Sequence, residues 1–291
     1  MHKQDREAWL ALPIILAVGA GLAWAGSQHG LSAGPLSVYG WCVLWAFGLQ
    51  WLAFVPAYLA QTEKYYDLIG SLTYLSTLGL ALALSGPPRP LALLLAALIG
   101  VWALRLGSFL FLRIKATGAD SRFDDIKPHF ARFLMAWTLQ GLWVCFSLAA
   151  ALAALTTAEP RPAGWLAIVG ALVWGLGFGI EALADQQKNA FRKDPANAGR
   201  FIQHGLWAWS RHPNYFGEIT LWCGIALMAL PQLQGWQYLS LISPVFIYIL
   251  LTRISGVPML EAKSDQRWGG QPDYEAYKAR TPVLVLRPPR K

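Results

Sequence analysis

The stretch DQQKNAFRKDPANAGRFIQHGLWAWSRHPNYFGE, residues 185–218, is a dense polar segment between long apolar segments. Its basic side chains supply donors suited to phosphate, and its carboxylates and amides supply groups that bind hydroxyls, amides or rings. Such a segment between apolar neighbours predicts a site for a charged small molecule.

The composition outside this stretch excludes an ordinary soluble domain, because 55% of the 291 residues are hydrophobic and only 14% are charged. We expect an all-α, polytopic transmembrane bundle of seven to eight spans, whose cytoplasmic loops form a nucleotide site. The expected spans cover residues 8–26, 37–60, 66–85, 90–112, 130–157, 163–183 and 236–252, with a shorter one at 216–230. Short turns rich in proline and glycine leave no room for a second folded domain, so residues 1–291 are expected to form one membrane domain.

Lysine and arginine are distributed unequally between the two ends of these spans. With eight crossings, one side collects most of them, including Arg192 and Arg200, whereas the other side has only Arg89 and Arg161. Because basic residues concentrate in cytoplasmic loops, both termini and residues 185–218 are expected in the cytoplasm. Topology and attraction to anionic membrane lipid explain the net charge of +8, so no nucleic acid partner is expected.

Four polar residues around the end of the sixth span are candidate ligand contacts. Glu181 and Asp185 lie one helical turn apart, and they either face a ligand or pair with neighbouring cations. The proline and glycine between Arg192 and Arg200 allow both arginines to fold toward one point. Such a pair suits a pyrophosphate or a 2'-phosphate, and the alternative is anchoring to lipid headgroups.

The segment SRHPNYFGE, residues 210–218, predicts a helix that starts at its proline. Asn214 and Glu218 then share one face, and the free amides of the first turn suit a phosphate. His212 is expected to be a hydrogen-bonding scaffold or phosphate contact, because none of the five histidines has metal-ligand spacing, and no metal is expected. The candidate cofactor-binding residues of this segment are Arg211, His212, Asn214, Tyr215 and Glu218.

Glu261 and Asp265 follow the last span at a spacing of four residues, on a segment of alternating charge. Alternating charges are usually a solvated helix face. The aromatic residues Trp268, Tyr274 and Tyr277 favour instead a lid that packs over a cofactor.

Asp67, in the first half of the chain, begins an apolar segment. Burial there favours a protonated carboxyl that donates a hydrogen bond, and capping of the helix is the competing interpretation.

The segment 181–218 and the tail YEAYKARTPVLVLRP, residues 274–288, resemble the steroid 5-alpha-reductase-like membrane reductases, in particular the bacterial branch with the SRHPNYFGE signature. The resemblance covers roughly residues 60 to 291, so we expect N-terminal spans over residues 1–62 and a reductase-like core over residues 63–291. It implies a protein of the bacterial inner membrane, expected here as a monomer. It also implies reduction of the carbon–carbon double bond of an enone such as a 4-ene-3-ketosteroid, with NADPH as the cofactor.

Carried over by position, the resemblance implies that five residues contact NADPH: Asp185, Arg192, Arg200, Asn214 and Glu218. Glu181 stands where the family has an asparagine. Glu261 and Asp265 stand where the steroid enzymes have a histidine and a tyrosine, and here the chain is more similar to the related sterol double-bond reductases.

The resemblance also implies a catalytic pair, because the steroid enzymes bind the keto oxygen through a glutamate and a tyrosine. Alignment on Arg105 puts Asp67 close to that glutamate and Trp102 at the tyrosine position. Tyr66 is an alternative second donor, and Glu63 is a further catalytic candidate. Hydride addition to an enone places negative charge on the carbonyl oxygen, which a neutral carboxylic acid and another donor would stabilise.

Two other functions remain open. Isoprenylcysteine carboxyl methyltransferases, which use S-adenosylmethionine, are similar around RHP-x-Y, but that cofactor carries no phosphate for Arg192 and Arg200. A lipid transporter would place charged residues deep in several helices, whereas here they gather at one face.

Overall fold

A computed structural model describes residues 3–87, 89–118 and 120–289 of the chain, so the last two basic residues of the tail lie outside the described part. It confirms the expected all-α polytopic fold. The helices are α1 (Lys3–Gly26), α2 (Val38–Leu59), α3 (Tyr66–Leu84), α4 (Pro90–Thr117), α5 (Phe130–Leu155), α6 (Trp165–Lys193), α7 (Pro213–Ala229), α8 (Ile242–Ile249), α9 (Gly256–Trp268) and α10 (Pro272–Arg280). A small antiparallel hairpin, β1 (Ser32–Ala33) and β2 (Leu36–Ser37), connects α1 to α2.

Seven helical segments of the described chain are long and apolar enough to cross a membrane. Six of them are α1 to α6. Five of these helices begin and end within about five residues of the spans expected from hydropathy, whereas α6 ends at Lys193, ten residues past the expected end at 183. The seventh, Gly235–Trp268, continues beyond the expected end at residue 252 through a π-helical turn, Leu250–Ile254, into α9. The shorter expected segment at 216–230 is helical as α7, but its 17 residues are at the lower limit for a span and it is not among the seven, so an eighth crossing stays a prediction.

The chain divides into two compact units. The N-terminal unit comprises Met1–Ala167 and Met228–Ser243, and the C-terminal unit comprises Ile168–Leu227 and Pro244–Lys291. The single membrane domain expected from the sequence stays a prediction.

Helix α5 forms the centre of the N-terminal unit, where it packs against α1, α2, α3 and α4. Its side chains are buried along almost the whole length from Ala131 to Leu155. The ring of Phe47 lies where a side chain on Gly19 or Gly141 would stand, with 2.7 Å and 3.0 Å to a Cβ built on each glycine. Small residues thus let α1, α2 and α5 approach closely, as is usual for helices that pack without a hydrophobic driving force.

Candidate functional site

Glycines bring α6 and α7 into backbone contact in the C-terminal unit. A Cβ built on Gly217 would lie 2.6 Å from the backbone nitrogen of Glu181 and 2.6 Å from the carbonyl oxygen of Gly177. About two helical turns further along α7, a Cβ built on Gly224 would lie 2.6 Å from the carbonyl oxygen of Gly170. The close crossing therefore sets the backbone of Glu181 beside residue 217.

Three acidic side chains of this helix pair are buried. Glu181 is 2% exposed, and Asp185 on α6 and Glu218 on α7 are each 9% exposed. Burial of a carboxylate costs free energy unless the group is hydrogen-bonded or paired with a cation. The crossing is therefore a polar centre in an apolar surrounding. The structure thus brings together two residues, Glu181 and Glu218, that the sequence placed on separate segments.

The C-terminal tail fixes the start of α7. The backbone of Arg211 donates to the carbonyl oxygen of Pro282 at 2.9 Å, and the backbone of Arg287 donates to that of Trp209 at 3.0 Å. Between them, the hydroxyl of Ser210 donates to the carbonyl oxygen of Leu284 at 2.8 Å. Proline has no N–H group, and the N–H at the first helical position would have no partner within the helix. Pro213 therefore suits this position, and α7 begins directly after these three hydrogen bonds.

A bridging carboxylate on α9 holds the two residues that precede α7. Glu261 accepts from Arg211 Nη1 at 2.8 Å through one oxygen and contacts His212 Nε2 at 2.7 Å through the other. Burial lowers the pKa of His212, although the hydrogen bond to Glu261 opposes this shift, so the imidazole is neutral at pH 7. The ring of Tyr215 stacks on His212 with 5.6 Å between centroids and 8° between planes. Glu261 is thus a positioning residue for this segment, a role that the sequence did not indicate.

Two polar atoms at the start of α7 are buried and have no hydrogen-bond partner among the described residues. They are Oδ1 of Asn214 and Nδ1 of His212. A neutral His212 that donates from Nε2 to Glu261 carries a lone pair on Nδ1, so both atoms are acceptors. Buried acceptors without a partner are costly, and a ligand with an amide or hydroxyl donor satisfies them.

The two arginines expected to bind phosphate are exposed: Arg192 lies in the last turn of α6, and Arg200 lies in the loop that follows this helix. A short 3₁₀ turn, Pro195–Asn197, starts at Asp194, whose side chain accepts from the backbone of Ala196 at 2.9 Å. Gly199 then adopts a positive φ of 79°, and its carbonyl oxygen accepts from Trp268 Nε1 at 2.6 Å. The break in the helix at Pro195 and the turn at Gly199 are therefore present, and the convergence of Arg192 and Arg200 on one point stays a prediction.

The helices α9 and α10 pack on this loop through an aromatic cluster. The ring centroid of Phe201 lies 5.7 Å from that of Trp268, 5.3 Å from Tyr274 and 5.4 Å from Tyr277. Asp265 accepts from the Tyr274 hydroxyl at 3.0 Å and from Lys278 at 2.9 Å. Asp265 thus ties α9 to α10, whereas Glu261 on the same helix faces residues 211 and 212.

Residues 205–208 were missed by the sequence reasoning, although they connect α6 to α10. Trp207 Nε1 donates to the carbonyl oxygen of Ala184 at 3.0 Å, and the Tyr277 hydroxyl donates to the Trp207 carbonyl at 2.7 Å. The ammonium of Lys188 lies 4.3 Å above the Trp207 ring. The signal available in the sequence was Gly205, which adopts a positive φ of 60° in a tryptophan-rich loop.

The four candidate catalytic residues lie in the N-terminal unit, and the structure gives three of them defined neighbours. Glu63 accepts from Lys127 at 2.7 Å and from the backbone of Asp120 at 2.8 Å. The Tyr66 hydroxyl donates to the carbonyl oxygen of Ala136 at 2.9 Å. Trp102 is 3% exposed and packs edge-on against Tyr74 at 5.2 Å.

Asp67 lies in the first turn of α3, two residues beyond the position that a capping side chain would occupy. Its Oδ2 atom lies 4.0 Å from Nη2 of Arg113 on α4. The carboxyl group is thus on the helix face toward α4, and the N-cap is Tyr65, which makes no side-chain capping bond.

Comparison with known proteins identifies the family. A family model described as "Protein of unknown function (DUF1295)" matches residues 53–281, which is most of the chain. The chain belongs to the DUF1295 family. This is the steroid 5-alpha-reductase-like family, so the resemblance seen in the sequence is confirmed at family level.

One curated relative in this comparison is 3-oxo-5-alpha-steroid 4-dehydrogenase 1 of Bos taurus, which is 31% identical over 71 residues. This match covers 24% of the DUF1295 chain and 27% of the bovine protein. No solved structure matches the chain.

Proposed function

We propose that this DUF1295 protein is an NADPH-dependent membrane reductase of the carbon–carbon double bond of an enone, with a 4-ene-3-ketosteroid reduced to the 5-alpha product as the best candidate reaction. The observation that carries the proposal is the buried acceptor Oδ1 of Asn214 beside the buried carboxylates of the α6–α7 crossing. The name of the bovine relative supports the reaction type. The proposal takes the protein as a monomer of a bacterial inner membrane, with the cofactor site and C-terminus in the cytoplasm.

The residues of the site fit this cofactor. A nicotinamide carboxamide offers an N–H donor, which is what the acceptor atoms of Asn214 and His212 require. The ribose hydroxyls are donors for Glu181, Asp185 and Glu218, and the exposed guanidinium groups of Arg192 and Arg200 suit the phosphates. When bound, the cofactor supplies the hydride, and the protein supplies orientation and electrostatics.

Activation of the substrate carbonyl is assigned to Asp67. Reduction of an enone places negative charge on the carbonyl oxygen, and a donor aimed at that oxygen lowers the barrier. Glu63 is held as an acceptor by Lys127, and the Tyr66 hydroxyl donates to a backbone carbonyl, so both are less suited to donate to a substrate. Asp67 and Trp102 therefore remain the first pair to test.

Isothermal titration of the detergent-extracted protein with NADPH, NADH and S-adenosylmethionine tests the cofactor. We expect NADPH to bind more tightly than NADH, because the arginines offer more donors than a pyrophosphate alone requires. Equal affinities would exclude the 2'-phosphate contact. Binding of S-adenosylmethionine with no response to NADPH would refute the reductase proposal and support a methyltransferase.

The reaction itself is tested by NADPH oxidation in the presence of a 4-ene-3-ketosteroid, with product analysis by mass spectrometry. A product heavier by two hydrogens supports the proposal. Tight NADPH binding without reduction of any enone would leave the cofactor assignment in place and refute the proposed substrate class.

A further inference from the structure

A cavity of about 370 Å3 lies in the N-terminal unit where α4 begins and α5 ends. Most of its wall is formed by prolines, alanines and Leu91, and the charged residues that line it are Arg89 and Arg161. None of the candidate catalytic or cofactor-binding residues lines it. The cavity therefore belongs to neither of the sites described above.

Backbone carbonyl groups hold both guanidinium groups in place. Arg89 donates through Nη2 to the carbonyl oxygen of Thr157 at 2.9 Å, and Arg161 donates through Nη1 to that of Pro231 at 3.1 Å. Gln232 also fixes the backbone of Arg161, accepting from its nitrogen at 2.8 Å and donating to its oxygen at 2.9 Å. A guanidinium group has five N–H donors, so one such bond fixes its position and leaves other donors for an anion.

The position of the cavity relative to the spans indicates the kind of anion. Both α4 and α5 are long enough to cross a bilayer, so their ends lie at the depth of the lipid headgroups. The cavity combines an apolar wall with two arginines, and Glu159 in the adjoining turn is exposed. Arginine forks match phosphate oxygens in pairs, and prolines and alanines suit a glycerol and the start of acyl chains.

We propose that this cavity binds the headgroup of an anionic phospholipid, with its phosphodiester held between Arg89 and Arg161. The lipid links the start of α4 to the turn that follows α5. This site is independent of the proposed reductase activity.

Native mass spectrometry tests the proposal on protein taken from nanodiscs of phosphatidylcholine and phosphatidylglycerol. We expect the wild type to retain phosphatidylglycerol, and the double variant Arg89→Gln/Arg161→Gln to retain it about thirtyfold less, from ~1 kcal/mol for each basic residue near an anionic lipid surface. Glutamine removes both positive charges, and because its amide nitrogen lies two bonds closer to Cα than the guanidinium nitrogens, the bonds to Thr157 and Pro231 are removed as well.

Two further variants separate the site from general effects. Ala163→Phe fills the cavity and keeps both arginines, and we expect it to lose the lipid as well. The matched control Arg6→Gln/Lys64→Gln removes two exposed charges at the other end of the same unit, and we expect it to retain the lipid. Equal loss in the control would reduce the effect to general surface attraction and overturn the proposal.

The source of the phosphate is tested with delipidated protein and inorganic phosphate alone. Thermal stabilisation by inorganic phosphate that depends on Arg89 and Arg161, equal to that by phosphatidylglycerol, would assign the cavity to a free anion and not to a lipid. Unchanged lipid retention in both Arg89→Gln/Arg161→Gln and Ala163→Phe would also refute the site.

Discussion

Replacement of Asn214 by leucine should separate the binding of a cofactor from the stability of the fold. The Oδ1 atom of Asn214 is buried and has no hydrogen-bond partner among the described residues. Leucine has the same number and branching of side-chain heavy atoms and no polar atom, although its methyl groups are larger, and it is also the better helix former. The substitution therefore removes an unmet acceptor without opening a cavity.

The magnitudes follow from this environment. In the protein without ligand, loss of an unsatisfied buried acceptor relieves about 1 kcal/mol or more, which corresponds to a gain of roughly 2–4 °C in melting temperature for a chain near this size. In the complex, the ligand's donor loses its partner, so binding of NADPH should weaken by at least about 1.4 kcal/mol, or tenfold. The melting temperature of the protein without ligand is thus expected to rise, while its affinity for NADPH falls.

The assay is isothermal titration with NADPH together with a thermal melt of the same purified sample. Thr220→Val is the matched control, because Thr220 lies on another face of α7 and its hydroxyl donates only within the helix, to Phe216 at 2.7 Å. The control should bind NADPH as the wild type does. Wild-type affinity in Asn214→Leu would refute the assignment, and a melting temperature lowered by several degrees would make Asn214 a structural residue.

Three other outcomes are expected. Gly217→Ala should destabilise the protein and reduce NADPH binding, since its Cβ would lie 2.6 Å from the backbone of Glu181. The control Gly179→Ala should be neutral or stabilising, because nothing lies within 4 Å of its Cβ. Equal melting temperatures for the two variants would disprove the tight crossing. Asp67→Asn, which keeps a hydrogen-bond donor, should retain more enone reduction than Asp67→Leu while both bind NADPH, and wild-type turnover in the leucine variant would exclude Asp67 as the donor. Because burial lowers the pKa of His212, the folded protein binds its proton less readily than the unfolded chain, so stability should be constant above pH ~6.5 and fall as the pH drops below that value. Thermal melts across this range should show a smaller fall in His212→Gln, and an identical fall would assign the pH dependence to other groups.

The spans could be predicted from the sequence because a bilayer imposes a length and an apolar composition on each helix. The expected segment 37–60 became Val38–Leu59, and 66–85 became Tyr66–Leu84. The last segment was misjudged at its C-terminal end, since hydropathy falls after residue 252 while the backbone stays helical through the π turn into α9. Hydropathy reports the membrane environment and does not report where a helix ends in polar surroundings.

The polar segment 185–218 could be recognised because dense charge between apolar spans needs a functional reason. The partners of each side chain could not be recognised, since they come from remote elements. Glu261 and Asp265 were treated as an equivalent pair because a spacing of four puts them on one helix face. In the structure Glu261 anchors Arg211 and His212, whereas Asp265 binds α10. Their difference depends on where α10 folds back, and no local pattern carries that information.

The crossing of α6 and α7 is where two of the predicted cofactor residues, Glu181 and Glu218, are buried. Only glycine at position 217 lets the α7 backbone approach the backbone of Glu181, and the same contact places Glu218 at the crossing. The single glycine of SRHPNYFGE, Gly217, is therefore as much part of the candidate site as its polar residues, because it permits the close crossing at which Glu218 is buried.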